Sequence, residues 1–133
     1  MLSQKRQFGD AGEEAGVKFL KQKGYAILER NFLLRGGELD IVAARRSFLG
    51  KLREIIFVEV KSIEGEGSAL DFSLAARNVH FSKQQRLIRA AKTYLLQKKI
   101  PPETPWRIDV LVVARDSRSG SIKIEHLENA VWG

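Results

Sequence analysis

Hydrophobic residues recur along the chain with two different periods, and each change of period marks the boundary of an element. Phe8, Ala11, Ala15 and Phe19 follow one another at intervals of three and four, which is the repeat of one helix face. They predict a helix from Gln7 to Lys23 that stops at Gly24. Gly9, Gly12 and Gly16 flank this stripe. A glycine inside a helix costs up to about 1 kcal/mol relative to alanine, so three at related spacing point to close packing, against the sheet in preference to a ligand.

Strand-like segments come next. Tyr25 to Asn31 predicts a first strand, Gly36-Gly37 a turn, Glu38 to Ala44 a second strand, and Glu54 to Ser62 a third, after a charged connection from Arg45 to Arg53. These connections are too short for crossover helices, so an antiparallel meander is expected. Glu64 to Ser68 reads as a flexible loop, and Asp71 to Asn78 as a short helical turn. Ser82 and Gln85 have capping-box spacing, and Leu87, Ile88, Ala91, Tyr94 and Leu95 line a helix that reaches Lys99 before Pro101-Pro102. Trp106 to Val113 is an apolar interior strand, which a right-handed crossover sets parallel to the third. Ser121 to Leu127 is an edge strand. The order αβββαβ(β) gives one α/β domain over residues 1–133, with a mixed sheet between helices.

Composition narrows the chemistry. The 133 residues contain no cysteine and two histidines, which excludes disulfides, thiol nucleophiles and cysteine-bound metals and makes a histidine-built metal site an unfavoured expectation. No segment approaches the ~20 apolar residues of a membrane span, and the N-terminus has no signal-peptide pattern, so a cytoplasmic protein that does not enter a membrane is expected. The formal charge of +7 and sequence pI near 9.9 favour polyanions, nucleic acid before acidic membrane surfaces. A merely basic globular protein would carry the same balance.

The most informative segment is Ile55-Ile56-Phe57-Val58-Glu59-Val60-Lys61, where an apolar strand ends in an acid and a base two residues apart. Alternation places Phe57, Glu59 and Lys61 on one face, and burying either charge costs several kcal/mol unless a partner compensates. Asp40 lies on the preceding predicted strand, with 18 residues between it and Glu59. Hairpin pairing would bring the two carboxylates together. With the Val60 carbonyl they make a hard oxygen site suited to Mg2+ or Mn2+, and Lys61 would stand beside a bound water. A buried ion pair without catalytic purpose is the alternative.

Asp40…Glu59-Val60-Lys61 resembles the D…(D/E)xK signature of restriction-endonuclease-like nucleases. Gly9-x-x-Gly12-Glu13, Gly24-Tyr25, Arg30-Asn31, Gly37-Glu38-Leu39-Asp40, Phe57-Val58-Glu59-Val60-Lys61, Lys83 with Arg86, and Arg107-Ile108-Asp109-Val110 together resemble the ordered motifs of the YraN family. Those small bacterial proteins are predicted endonucleases related to archaeal Holliday-junction resolvases. The resemblance implies a restriction-endonuclease-like αβββαβ core and a metal-dependent nuclease acting on DNA, ahead of RNA, with preference for branched or junction structures. It implies an active-site cluster of Glu13, Asp40, Glu59 and Lys61, with Asp40, Glu59 and Val60 holding the metal and Glu13 assisting. A solvated carboxylate is the competing view of Glu13. A homodimer is compatible with two cuts on a symmetric junction, and a non-catalytic nucleic-acid-binding module is the alternative to an enzyme.

Further residues are candidates for nucleic-acid contact. Lys83 and Gln84, in the first turn of the second helix, either reinforce a phosphate site there or cover the edge of the core. Arg86 lies on the polar side. The connection from Arg45 to Arg53 is extended relative to the family and carries Arg45, Arg46, Lys51 and Arg53, whereas the segment after Lys61 carries Glu64 and Glu66. His80 and His126 are expected to be surface or partly packed residues, and Asp109 to pair with Arg107.

Overall fold

A computed structural model of the chain describes residues 4–65 and 81–131. The elements run α1 (Gln4–Gln22), β1 (Ala26–Leu34), β2 (Gly37–Arg46), β3 (Leu52–Gly65), α2 (Phe81–Gln97), β4 (Trp106–Asp116) and β5 (Ile122–Val131). The five strands form one sheet in the order β1-β2-β3-β4-β5. β1, β2 and β3 are the expected antiparallel meander. β3 and β4 are parallel, and β5 closes the edge antiparallel to β4.

The two helices cover opposite faces. Val17 and Leu20 of α1 pack with Ile41, Ala43, Ile56, Val58 and Leu111, while Leu87, Ile88, Ala91 and Tyr94 of α2 pack with Val42, Ile55, Phe57, Ile108 and Val110. The period of 2 along β3 therefore sends Ile56 and Val58 to one helix and Ile55 and Phe57 to the other, leaving no polar face over this stretch.

Several expected boundaries move. The strands are longer than the apolar runs, because backbone pairing continues past the last buried side chain; Glu64 and Gly65, expected in a loop, pair with Arg115 and Asp116. The rest of that loop, the turn at 71–78 and His80 lie outside the described residues. Ser82 stands inside α2, which is already helical at Phe81, and α2 ends at Gln97. The contact face of α1 is also rotated from the expected stripe. Ala11 is exposed while Gly12, Gly16, Val17 and Leu20 are buried, because the helix meets the sheet on its glycine side. A methyl group at Gly12 would overlap the Ser62 hydroxyl, and one at Gly16 would lie 3.2 Å from Leu111. Gly24, at φ +94°, ends the helix, and the Tyr25 amide donates back to the Leu20 carbonyl at 3.0 Å in a Schellman-type cap.

Candidate active site

The β2–β3 register sets the core of the site. Ile41 pairs with Val58, so the next step along the hairpin sets Asp40 beside Glu59. The Val60 amide donates to Asp40 Oδ2 at 3.0 Å. In an antiparallel ladder a residue's N–H and C=O serve the same neighbour, so the Val60 carbonyl lies on the edge facing Asp40 as well. Glu59 is buried, and its Oε1 is 2.6 Å from the Lys83 ammonium on α2. Asp40, Glu59, Lys83 and Arg86 line one cleft, floored by Gly36 and Gly37.

The charges in this cleft perturb one another. Burial first, and then repulsion from Glu59, push the Asp40 carboxyl up from 3.8 to about 7, although the Val60 amide opposes the shift. A carboxyl poised there is half-protonated near neutral pH. Glu13 is raised too, by burial and by the charge of Asp40, against a stabilising hydrogen bond from Asn31. Burial and the neighbouring Lys83 lower Lys61, while Glu59 opposes them. Lys83 responds differently. Burial would lower its pKa, but the hydrogen bond and charge of Glu59, with Asp40, outweigh that and raise it.

The structure thus brings Glu13, Asp40, Glu59, Lys61, Lys83 and Arg86 into one neighbourhood and leaves other candidates elsewhere. Lys83 is an ion-pair partner of Glu59 at the cleft's edge, with about half of its side chain still in solvent. Gln84 is half-buried on the same turn and does not line the cleft. Arg45, Arg46 and Lys51 sit at the far end of the hairpin around a separate groove, about 20 Å from Asp40 along the strand at ~3.4 Å per residue. Among the described residues no group of three His, Cys, Asp or Glu side chains is close enough to hold one metal ion. Any ion would therefore rest on the carboxylates of Asp40 and Glu59 and on main-chain oxygen. That donor set, all oxygen, fits a hard cation.

Asn31 enters as a positioning residue through its hydrogen bond to Glu13. It lies between the Arg30–Ile41 and Phe32–Leu39 pairs, and so opposite Asp40. Its φ of +49° in mid-strand is rare for a residue with a side chain, though asparagine tolerates it best. Its place in the Arg30-Asn31 motif was the available sequence signal, but no periodicity marks a left-handed residue within a strand.

The sequence profile of the uncharacterised protein family UPF0102 matches residues 12–113. The chain belongs to the UPF0102 family. This family carries the YraN motifs, and its match spans every site residue from Glu13 to Arg86. A UPF0102 protein of Roseiflexus castenholzii is 34% identical over 131 residues, 98% of either chain, and one of Chloroflexus aurantiacus is 37% identical over 122 residues, 92% of this chain and 89% of the other. The chain is also similar to Pyrococcus furiosus SfsA, solved in complex with Ca2+, at 19% identity and a TM-score of 0.37 over 93% of this chain and 63% of that one, an overlap too slight to bear on fold or activity.

A second polar cluster lies on the α1 face, towards β5. Asp109 is fully buried. It accepts from Arg107 Nε at 2.9 Å, from His126 Nε2 at 2.6 Å and from the Asn129 amide at 2.8 Å. Arg107 also donates to Glu54 at 2.8 Å and to the Tyr25 hydroxyl at 3.0 Å. His126 is a partly packed residue, as expected, with its backbone at the edge strand and its imidazole turned inward, where Asp109 supplies the partner that burial requires. The Lys23 ammonium stands 2.9 Å from His126 Nδ1. An ammonium only donates, so Nδ1 accepts and Nε2 carries the hydrogen given to Asp109.

Proposed function

We propose that this protein is a metal-dependent nuclease of restriction-endonuclease-like fold that hydrolyses DNA phosphodiester bonds, with preference for branched DNA. The observation that carries the reading is the Asp40–Glu59 pair, drawn together by the β2–β3 register, with Asp40 pushed to about 7 and Lys61 two residues beyond Glu59. A perturbed carboxyl beside a second acid and a lysine in a cleft is the kind of environment that active sites use. The element order αβββαβ and the basic charge agree with the reading.

In this scheme Asp40, Glu59 and the Val60 carbonyl would hold Mg2+ or Mn2+, which would supply a lowered water pKa and countercharge for the phosphate. Lys61 orients the attacking water and faces the negative charge that develops in the transition state. Glu13, held by Asn31, adds a third acid at the margin. Lys83 holds the Glu59 carboxylate at the cleft through its 2.6 Å ion pair, and Arg86 meets the DNA backbone. Hydrolysis consumes one water and breaks one P–O bond, leaving a hydroxyl on one strand end and a phosphate on the other.

Linear, flapped and four-way DNA incubated with the purified protein and Mg2+ or Mn2+ test this directly. Cleavage of at least one substrate is expected, and Asp40→Ala should reduce it at least about 100-fold with DNA binding nearly intact. No cleavage by the wild-type protein, together with an Asp40→Ala variant identical in every measured property, would sink the idea. One observation favours a second reading, a non-catalytic nucleic-acid-binding module: the Lys83 ammonium already occupies Glu59 at 2.6 Å. That module would bind DNA or RNA in a salt-sensitive manner without any response to metal.

A further inference from the structure

The tip of the β2–β3 hairpin has a feature that neither the core nor the acid cleft explains. The Gly50 amide donates to the Ser47 carbonyl at 2.9 Å, so Ser47-Phe48-Leu49-Gly50 is a hydrogen-bonded β-turn, with Gly50 at φ +85°. The turn is braced from below. Ser47 N donates to Lys51 O at 2.7 Å, Lys51 N to Ser47 Oγ at 3.0 Å, and Arg46 Nη1 to Gly50 O at 3.2 Å. The two central positions, ordinarily polar, are Phe48 and Leu49, with exposures of 103% and 91%. Both side chains are almost wholly in water, so burial of either adds little to the stability of the chain.

Cations surround this apex. Arg46 and Lys51 sit at its base and Arg53 one step further down β3, all exposed, while Arg45 turns back over the Tyr25 ring, 5.8 Å from its centroid. We propose that the hairpin is a wedge for branched DNA: Phe48 and Leu49 enter an unstacked base step, and Arg46, Lys51 and Arg53 hold the phosphates on either side. Apolar side chains inserted at a base step are an established means of gripping deformed DNA, and a branch point presents such a step already opened. Two copies meeting tip to tip would bring like charges together. Arg46 stands on one arm of the hairpin and Lys51 and Arg53 on the other, so the cations flank the apex on two sides, whereas a bilayer offers its phosphates in a single plane. A groove with phosphates on both walls meets apex and flanks together.

The choice of DNA as partner rests on the nuclease reading, so the test measures binding and uses chelator to suppress cleavage. Fluorescence anisotropy compares a four-way junction and a duplex of equal length, with 2-aminopurine at the branch in a parallel sample. The variants are the double substitution Phe48→Ser/Leu49→Ser and the triple substitution of Arg46, Lys51 and Arg53 to alanine. The double variant should melt at the wild-type temperature, bind duplex as before and lose about tenfold in junction affinity, together with the 2-aminopurine signal. The triple variant should weaken both DNAs. An unchanged junction preference in the double variant overturns the wedge, as does loss only of phosphatidylserine-vesicle binding or only of self-association in sedimentation. Failure of the nuclease reading looks different: the wild-type protein would cut nothing while the tip-dependent junction preference persisted.

Discussion

Asp40 and Asp109 are both drawn out of water within one sheet, yet their surroundings push them in opposite directions. Burial acts the same way on the two, raising the pKa. At Asp109, hydrogen bonds from His126, Arg107 and the Asn129 amide outweigh it and lower the pKa. At Asp40 the Val60 amide is outweighed by burial and the neighbouring charge of Glu59. Removal from water does not by itself mark a functional carboxylate. What separates the two is whether the neighbours complete the charge or add to it.

The contrast extends to the backbone. Each aspartate is faced across the sheet by an asparagine in left-handed conformation, Asn31 at φ +49° and Asn129 at φ +51°. Asn129 lies in a bulge between the Val110–Leu127 and Ile108–Val131 pairs, and this turns its amide onto Asp109 at 2.8 Å. Asn31 instead offers its side chain to Glu13. The same local strain completes one cluster and positions an acid at the other.

The largest effect expected from breaking this comparison is at Asp109. Asp109→Ala leaves Arg107 and His126 without their buried acceptor and should cost about 3–5 kcal/mol in denaturant unfolding at pH 7; a loss below about 1 kcal/mol would show that the network is not the structural element described. Asp40→Asn should act in the opposite sense, stabilising the fold at pH 8 by about 1–3 kcal/mol, because asparagine mimics the protonated carboxyl while cleavage disappears. The pH profile sharpens the pair. A carboxyl at about 7 in the fold, against 3.8 ordinarily, binds a proton on folding between those values, so its stability is complete below about pH 4 and is lost as pH rises through 7. Asp109 is lowered, so its contribution holds above the ordinary aspartate range and is lost as pH falls below it. Melts from pH 3 to 9 should show Asp40→Asn flattening the fall between pH 4 and 8 and leaving the acid limb in place.

The smallest effects should come from the asparagines. Asn129→Gly keeps the amide and the left-handed turn, so stability should change by less than about 1 kcal/mol. Asn31→Gly keeps the backbone but frees Glu13, so its stability should be similarly close to wild type while the pH profile of cleavage shifts. An unchanged profile would remove Asn31 from the site.

Much of this arrangement was legible along the chain. The apolar periods located all seven described elements, and the Asp40…Glu59-Val60-Lys61 spacing led to the pairing of the two acids, because a hairpin register follows from alternation and connection length. The close packing of α1 on the sheet was legible in the glycine spacing and holds at Gly12 and Gly16, but the apolar stripe alone set the face too far round, since glycine adds nothing to a hydrophobic pattern. The Lys83–Glu59 ion pair and the Asp109–His126 contact were hidden for another reason. Each joins residues from separate elements whose separation in sequence says nothing of their separation in space.

The sequence by itself determined the order of elements, the faces of the central strands and the proximity of Asp40 to Glu59, all of which follow from short-range periodicity. Only the tertiary structure decided which charges are completed and which are left opposed. It brought Arg107, His126 and Asn129 onto Asp109, set Glu13 and Glu59 against Asp40, and left Phe48 and Leu49 uncovered. A pKa depends on every group within a few ångströms, and that neighbourhood exists only once the helices have docked on the sheet.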